Sequence, residues 1–152
     1  TKLAVFGVDN EKLANFAFAD ATYRVTDIPE GLLVDHAFEC VGGAASQSAI
    51  DQIIDHIQPE GTIGLLGVSE YPVPINTRMV LEKGLRLYGS SRSGRSDFVK
   101  TVELYQSHPE IVNYLDAIVG ARIEVRSMAD MVRAFEMDIH KSMGKTIMHW
   151  MQ

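Results

Sequence analysis

The chain has 152 residues, a formal net charge of −6, one cysteine, 46% hydrophobic residues and 22% charged residues. A chain of this size suits one domain that buries about two-thirds of its unfolded surface, with no need of a disulfide or metal to hold it. The lone cysteine excludes an internal disulfide framework, and the acidic balance argues against nucleic acid or anionic membrane as the main partner. No apolar run approaches the roughly 20 residues of a membrane span, so the composition implies a reducing, cytoplasmic setting.

The chain opens at Thr1, without Met, directly on an apolar run. This gives the expectation of a segment of a longer protein. Leu3–Phe6 reads as a buried strand that breaks at Gly7, and Asn10–Phe18 as a short helix with Leu13, Phe16 and Ala17 on one face. Thr22–Val25 follows as a short strand, then the turn Ile28-Pro29-Glu30-Gly31. Val34–Val41 is a long strand closed by Gly42-Gly43. Ala45–Ile57 carries Ala49, Ile50, Ile53, Ile54 and Ile57 at helical spacing. The turn Gln58-Pro59-Glu60-Gly61 leads into the strand Thr62–Leu66, which stops at Gly67.

Val73–Ile75 lies between prolines, as an edge strand tolerates. Thr77–Lys83 reads as a helix with Gly84 past its end, and Leu85–Tyr88 as a further core strand before the loop Gly89–Gly94. Ser96 can cap a helix to about Gln106, and Pro109 suits the first turn of another through Leu115. Ile123–Val125 is strand-like. Ser127-Met128-Ala129-Asp130 has capping-box spacing ahead of a helix packed through Met131, Val132, Phe135 and Ile139, and Thr146–Trp150 closes the chain as a strand.

Short apolar strands alternating with helices imply βαβ units and a parallel, doubly wound α/β sheet with helices on both faces. Ligands of such sheets bind beyond the carboxyl ends of the strands. Four strand ends carry glycine or small residues: Gly7-Val8-Asp9, Cys40-Val41-Gly42-Gly43, Leu66-Gly67-Val68-Ser69 and Gly89-Ser90-Ser91-Arg92. Glycine there lets the backbone approach a planar or phosphorylated ligand closely.

The segments Val34–Gly43, Gly61–Val68 and Gly84–Ser90 resemble the coenzyme-binding part of the zinc-type medium-chain dehydrogenase/reductase family. Met131–Glu136 and Gly144–Met148 extend the likeness over essentially the whole chain. Within that family, Ile28–Leu32, Asp35–Gly43, Ser46–Ile50, Gly67–Glu70, Ile75–Arg78, Val80–Leu85 and Gly89–Gly94 are similar to the ribulose-5-phosphate reductases of teichoic-acid and capsule synthesis.

The resemblance implies a Rossmann-like sheet lacking its first strand and its Gly-rich turn, since no G-x-G-x-x-G occurs. It divides the chain into a partial NAD(P)-binding domain, 1–94, and a C-terminal segment, 95–152, that packs back on an absent catalytic domain. That domain would hold the catalytic zinc, which polarises the ketone while the nicotinamide delivers hydride to C2 of ribulose 5-phosphate. This segment would hold no metal and no catalytic residue, and alone it would be inactive.

The resemblance also assigns roles. Cys40, Val41 and Gly42 would flank the adenosine, and Leu66, Gly67, Val68, Gly89 and Ser90 the nicotinamide. Lys145 would stand near the pyrophosphate. Aligned on Lys12-Leu13, the position where NAD-binding folds keep an acidic residue falls on Gly7, which favours NADP(H) with Lys12 as a phosphate partner. Aligned on Asp9, NAD is restored. Arg92 and Arg78 are candidates for the substrate phosphate, because arginine binds phosphate through paired, charge-assisted hydrogen bonds. The family further implies a homodimer through Val73–Ile75 and the following strand, and a cytidylyltransferase partner.

Other constellations are weaker. His36 and Glu39 point to opposite faces of a strand, the remaining histidines are scattered, Cys40 reads as a packed residue, and Met128, Met131 and Met148 read as core filler. Two other functions remain open: a different zinc polyol or alcohol dehydrogenase, and a non-catalytic nucleotide-binding module.

Overall fold

A computed structural model describes residues 1–116, 118–140 and 144–151. In chain order the elements are β1 (Ala4–Gly7), α1 (Asn10–Leu13), β2 (Ala21–Arg24), β3 (Val34–Glu39), α2 (Ser46–His56), β4 (Ile57–Leu65), α3 (Thr77–Glu82) and β5 (Arg86–Gly89). Then follow α4 (Arg95–Ser107), α5 (Glu110–Asp116), β6 (Val119–Val125), α6 (Met128–His140) and β7 (Lys145–Trp150).

Every strand pairing is parallel, as the alternation of strand and helix requires. Among the described residues the strands form three sheets rather than one: β1-β2, β3-β4-β5 and β6-β7.

The chain divides into two compact units, one of Thr1–Thr26 with Ser93–Gln152 and the other of Asp27–Arg92. The core of the second unit is Ile50 and Ile54 on α2, Ile57 and Ile63 on β4, and Leu85 ahead of β5. Ile54, Ile57 and Ile63 are essentially sealed from solvent, and each contributes roughly 1.5–3 kcal/mol through burial.

Several expectations need correction, each for a local reason. Val73–Ile75 is not a strand. Pro72 and Pro74 remove the amide donors on either side, and Val73 and Ile75 instead press their side chains against the isoleucine core. The first helix ends at Leu13 and tightens into a 3₁₀ turn, Ala14–Phe16. Asn15 Nδ2 donates to the carbonyls of Glu11 and Lys12 at 2.9 and 3.3 Å, competing with the helical ladder.

β4 begins at Ile57 rather than Thr62, and its pairing slips from Val34–Ile57 to His36–Thr62. The extra residues are taken up at Glu60, whose φ is +63° and whose N–H reaches the Lys83 carbonyl at 2.7 Å. The cap of α4 is Gly94, not Ser96: Asp97 Oδ2 accepts from the Gly94 N–H at 2.8 Å. On α6 the buried residue is Ala134, while Val132, Phe135 and Ile139 are exposed. Met128 is exposed too, so it fills no core. One half of the Ser127–Asp130 capping box is present, Asp130 N–H donating to Ser127 Oγ at 3.3 Å; the Asp130 carboxylate accepts from the Arg126 N–H at 3.1 Å and from the Ser127 hydroxyl at 2.8 Å.

Candidate functional site

In the second unit three parallel strands stop at one level, since Glu39 pairs with Leu65 and Leu65 with Gly89. The segments Cys40–Gly43, Leu66–Ser69 and Gly89–Ser90 therefore leave the sheet side by side along its carboxyl edge. Backbone hydrogen bonds weave them together. Leu66 N–H and Gly67 N–H both donate to the Glu39 carbonyl at 2.9 Å, Gly43 N–H to Val68 O at 2.9 Å, and Ser90 N–H to Leu65 O at 3.4 Å. Ser69 Oγ adds a bond to the Gly43 carbonyl at 3.2 Å.

The glycines here are required. Gly42 has φ +67°, and a Cβ on it would lie 2.6 Å from Val68 O; a Cβ on Gly67 would lie 2.4 Å from Gly42 N. Two loops can approach this closely only because both lack side chains at the crossing. Val41 and Val68 point outward beside them, 61% and 84% exposed, beyond the end of a buried sheet. The edge thus offers bare amide and carbonyl groups flanked by apolar side chains, which suits a flat ligand with polar rims.

Beneath this edge lies a residue that the sequence suggested only as a partner for His36, and with no role there. Glu39 is only 2% exposed, yet it is a carboxylate. Its Oε1 accepts from the N–H groups of Val41 and Gly42, both at 2.8 Å, and its Oε2 from Gly67 N–H at 3.1 Å. An acid set between Phe38 and Cys40, just ahead of a Gly-Gly strand end, is the sequence signal that could have marked it.

Cys40 itself is exposed. Partial desolvation of its sulfur, with the Glu39 carboxylate beside it, pushes the thiol above the ordinary cysteine value, which disfavours the nucleophilic thiolate. Arg92 follows β5 in the left-handed region, φ +67°, an uncommon conformation for a residue with a side chain. Arg78, on α3, forms an exposed ion pair with Glu82 at 2.8 Å.

In the first unit, Gly7 ends β1 opposite Arg24, the last residue of β2, and Val25 N–H donates to Gly7 O at 3.0 Å. A Cβ on Gly7 would meet Leu13 Cδ2 at 3.1 Å, so the packing of α1 keeps this position small. Asp9 is the N-cap of α1, its Oδ1 accepting from Glu11 and Lys12 N–H at 2.8 and 3.3 Å. Lys12 and Arg24 are exposed and take part in no ion pair among the described residues. Arg24 was missed in the sequence because only strand pairing brings it beside Gly7. Lys145 opens β7, exposed, its N–H bonded to the Ile118 carbonyl at 2.6 Å. Among the described residues no three or more His, Cys, Asp or Glu are grouped so as to hold a metal ion, and no helix is long and apolar enough to cross a membrane.

Comparison with known proteins agrees with this geometry. A family model described as zinc-binding dehydrogenase matches residues 6–107. The ribulose-5-phosphate reductase of Bacillus spizizenii is 55% identical over 150 residues, which span 99% of this chain and 44% of that protein. A Streptococcus pneumoniae ribulose-5-phosphate reductase is 44% identical over 98% of this chain and 42% of its own length. Among solved structures, S. aureus TarJ in complex with NADPH superposes with a TM-score of 0.97 at 53% identity, covering all of this chain and 48% of that one. L-Idonate 5-dehydrogenase of Escherichia coli shares the fold, with a TM-score of 0.79 at 16% identity over 97% of this chain and 42% of that one. The chain thus spans somewhat under half the length of the relatives it matches, and its parallel strands are those of a Rossmann-like coenzyme domain. This chain belongs to the zinc-binding dehydrogenase family.

Proposed function

We propose that this chain is the coenzyme-binding part of an NADPH-dependent reductase that converts ribulose 5-phosphate to ribitol 5-phosphate. The observation that carries the reading is 53–55% identity, along essentially the whole chain, to proteins named ribulose-5-phosphate reductase and to TarJ bound to NADPH. The glycine-lined carboxyl edge of β3-β4-β5 supports it, because Gly42 and Gly67 let the two loops cross closely and leave their backbone groups at the strand ends where such sheets bind ligands.

In the second unit, Cys40, Val41 and Gly42 would flank the adenosine, while Leu66, Gly67, Val68, Gly89 and Ser90 would orient the nicotinamide through backbone groups. Arg92 is the better candidate for the substrate phosphate, being exposed in the loop after β5 and in no ion pair among the described residues. Arg78 is the weaker one, being paired with Glu82. In the first unit, Gly7 leaves space for a ribose 2′-phosphate, and Arg24 with Lys12 would supply its counter-charge. Asp9 would be less suited to receive a ribose hydroxyl, since one of its oxygens already caps α1. Lys145 would serve the pyrophosphate.

When bound, the nicotinamide is the source of the hydride that reduces the ketone. The zinc expected of the family finds no set of ligands among the described residues and would be held by residues outside this segment. Residues 1–94 would serve the coenzyme and 95–152 would return to the catalytic part. The whole protein would work in the cytoplasm as a homodimer, joined at the 73–75 segment and the edge strand β5, and alongside a cytidylyltransferase that uses its product. Light scattering of the whole protein tests the dimer, and co-purification tests the partner.

The deciding experiment follows NADPH oxidation by the full-length natural protein with ribulose 5-phosphate and with ribulose, then repeats it with NADH. Turnover at least tenfold better with the phosphate and with NADPH is expected. Equal use of free ribulose would point to a polyol dehydrogenase. Loss of no coenzyme with either ketone would leave a nucleotide-binding module.

A further inference from the structure

We infer that Glu39 is a positioning residue for coenzyme binding: its buried carboxylate ties together the two loops, Cys40–Gly43 and Leu66–Ser69, whose backbone faces the ligand. The inference rests on the functional reading above. A carboxylate offers only acceptors, and all three of its side-chain partners here are backbone donors: Val41 N–H, Gly42 N–H and Gly67 N–H. The first two belong to the loop after β3 and the third to the loop after β4. One side chain therefore bridges two strand ends that are also linked by main-chain bonds, among them Gly43 N–H to Val68 O, and by Ser69 Oγ on the Gly43 carbonyl at the outer end of the loops.

The fit is close. A Cβ on Gly67 would come within 2.5 Å of both Glu39 carboxylate oxygens, so Gly67 is small in order to admit this acid as well as the neighbouring backbone. The acid does not serve the apolar core of its own unit, which lies in the isoleucines of α2 and β4. Burying a carboxylate costs free energy, and the three N–H bonds offset that cost at the place where loop geometry matters for a ligand.

Glutamine makes the sharpest test, since it keeps the shape but has one acceptor oxygen. With that oxygen on Val41 and Gly42, its NH₂ group faces the Gly67 N–H, donor against donor, so the side-chain branch on the β4 side is lost and the Gly67 N–H is left with the Glu39 main-chain carbonyl at 2.9 Å. In the full-length enzyme, Glu39→Gln is expected to raise the KM for NADPH about tenfold. kcat at saturating NADPH and the KM for ribulose 5-phosphate should each change less than threefold. Hydrogen-exchange mass spectrometry of the coenzyme-free enzyme should show faster exchange in peptides covering 40–43 and 66–69. Glu39→Asp, which keeps the charge but is one methylene shorter, should fall between wild type and Glu39→Gln.

A folded Glu39→Gln enzyme with wild-type KM for NADPH would overturn the inference, as would equal loss of kcat and coenzyme affinity. Failure of both variants to fold would overturn it too, by making the acid a pillar of the sheet rather than a setter of the loops. A wild-type enzyme that shows no NADPH binding by fluorescence would overturn the functional reading together with this one.

Discussion

A Cβ on Gly42 would stand 2.6 Å from the carbonyl oxygen of Val68, the same oxygen that accepts the Gly43 N–H at 2.9 Å. The loops after β3 and β4 are thus locked by contact and by hydrogen bond at one point. Gly42 also sits at φ +67°, where a side chain is strained whatever the space around it. Gly42→Ala is therefore expected to cost about 2–3 kcal/mol of stability. It should also weaken coenzyme binding at least tenfold, because the Val68 carbonyl must move. Urea unfolding and NADPH fluorescence titration of the same preparation check both parts.

Arg24 faces Gly7 across the β1-β2 pair at the strand ends. If the coenzyme carries a 2′-phosphate there, Arg24→Ala should raise the KM for NADPH about tenfold, or roughly 1.4 kcal/mol, and leave that for NADH within twofold. A matched loss for both coenzymes would remove Arg24 from the phosphate site.

Lys83 reaches across some 26–29 residues to the end of α2, donating Nζ to the carbonyls of Ile54, Asp55 and Ile57 at 2.5, 3.2 and 3.1 Å. It satisfies carbonyls that the helix cannot, at the terminus where positive charge is favoured. Lys83→Met keeps the stem and loses these bonds, at an expected cost of about 1–3 kcal/mol in urea unfolding. The KM for NADPH should not change.

Asp130 caps α6. The Ser127 hydroxyl, then the Arg126 N–H, hold its carboxyl below the ordinary aspartate value. A group with a lowered folded value stabilises above its unfolded value, and that stabilisation is lost as pH falls through the folded one. The contribution is thus complete above about pH 4 and disappears only below it. Thermal melts from pH 6 to pH 2 should show wild type losing more stability than Asp130→Asn over the acid end of that range. Parallel curves would refute the cap's pH dependence.

The apolar strands and their glycine stops were legible in the sequence because both signals are local. The run Thr62 to Leu66 is β-branched or apolar but for one glycine, and Gly67 marks its end by composition alone. The family likeness was legible for the same reason: its motifs are the strand ends themselves. Boundaries failed where a nearby side chain competed with the ladder, as Asn15 does in shortening α1 and Asp97 in moving the cap of α4 to Gly94. Val73–Ile75 failed because a hydrophobic pattern reports burial, not whether a pairing partner is there.

By itself, then, the sequence determined the alternation of strand and helix, the parallel pairing that follows from it, and the glycine-lined edge, all set by spacings of a few residues. Tertiary structure alone decided that Glu39 bridges two loops, that Arg24 stands beside Gly7, and that Lys83 closes α2. Each of these joins groups 17 to 29 residues apart in the chain. Periodicity carries no information at that range. A hydrogen bond or strand pairing forms only once the backbone has brought its two ends within about 3 to 5 Å.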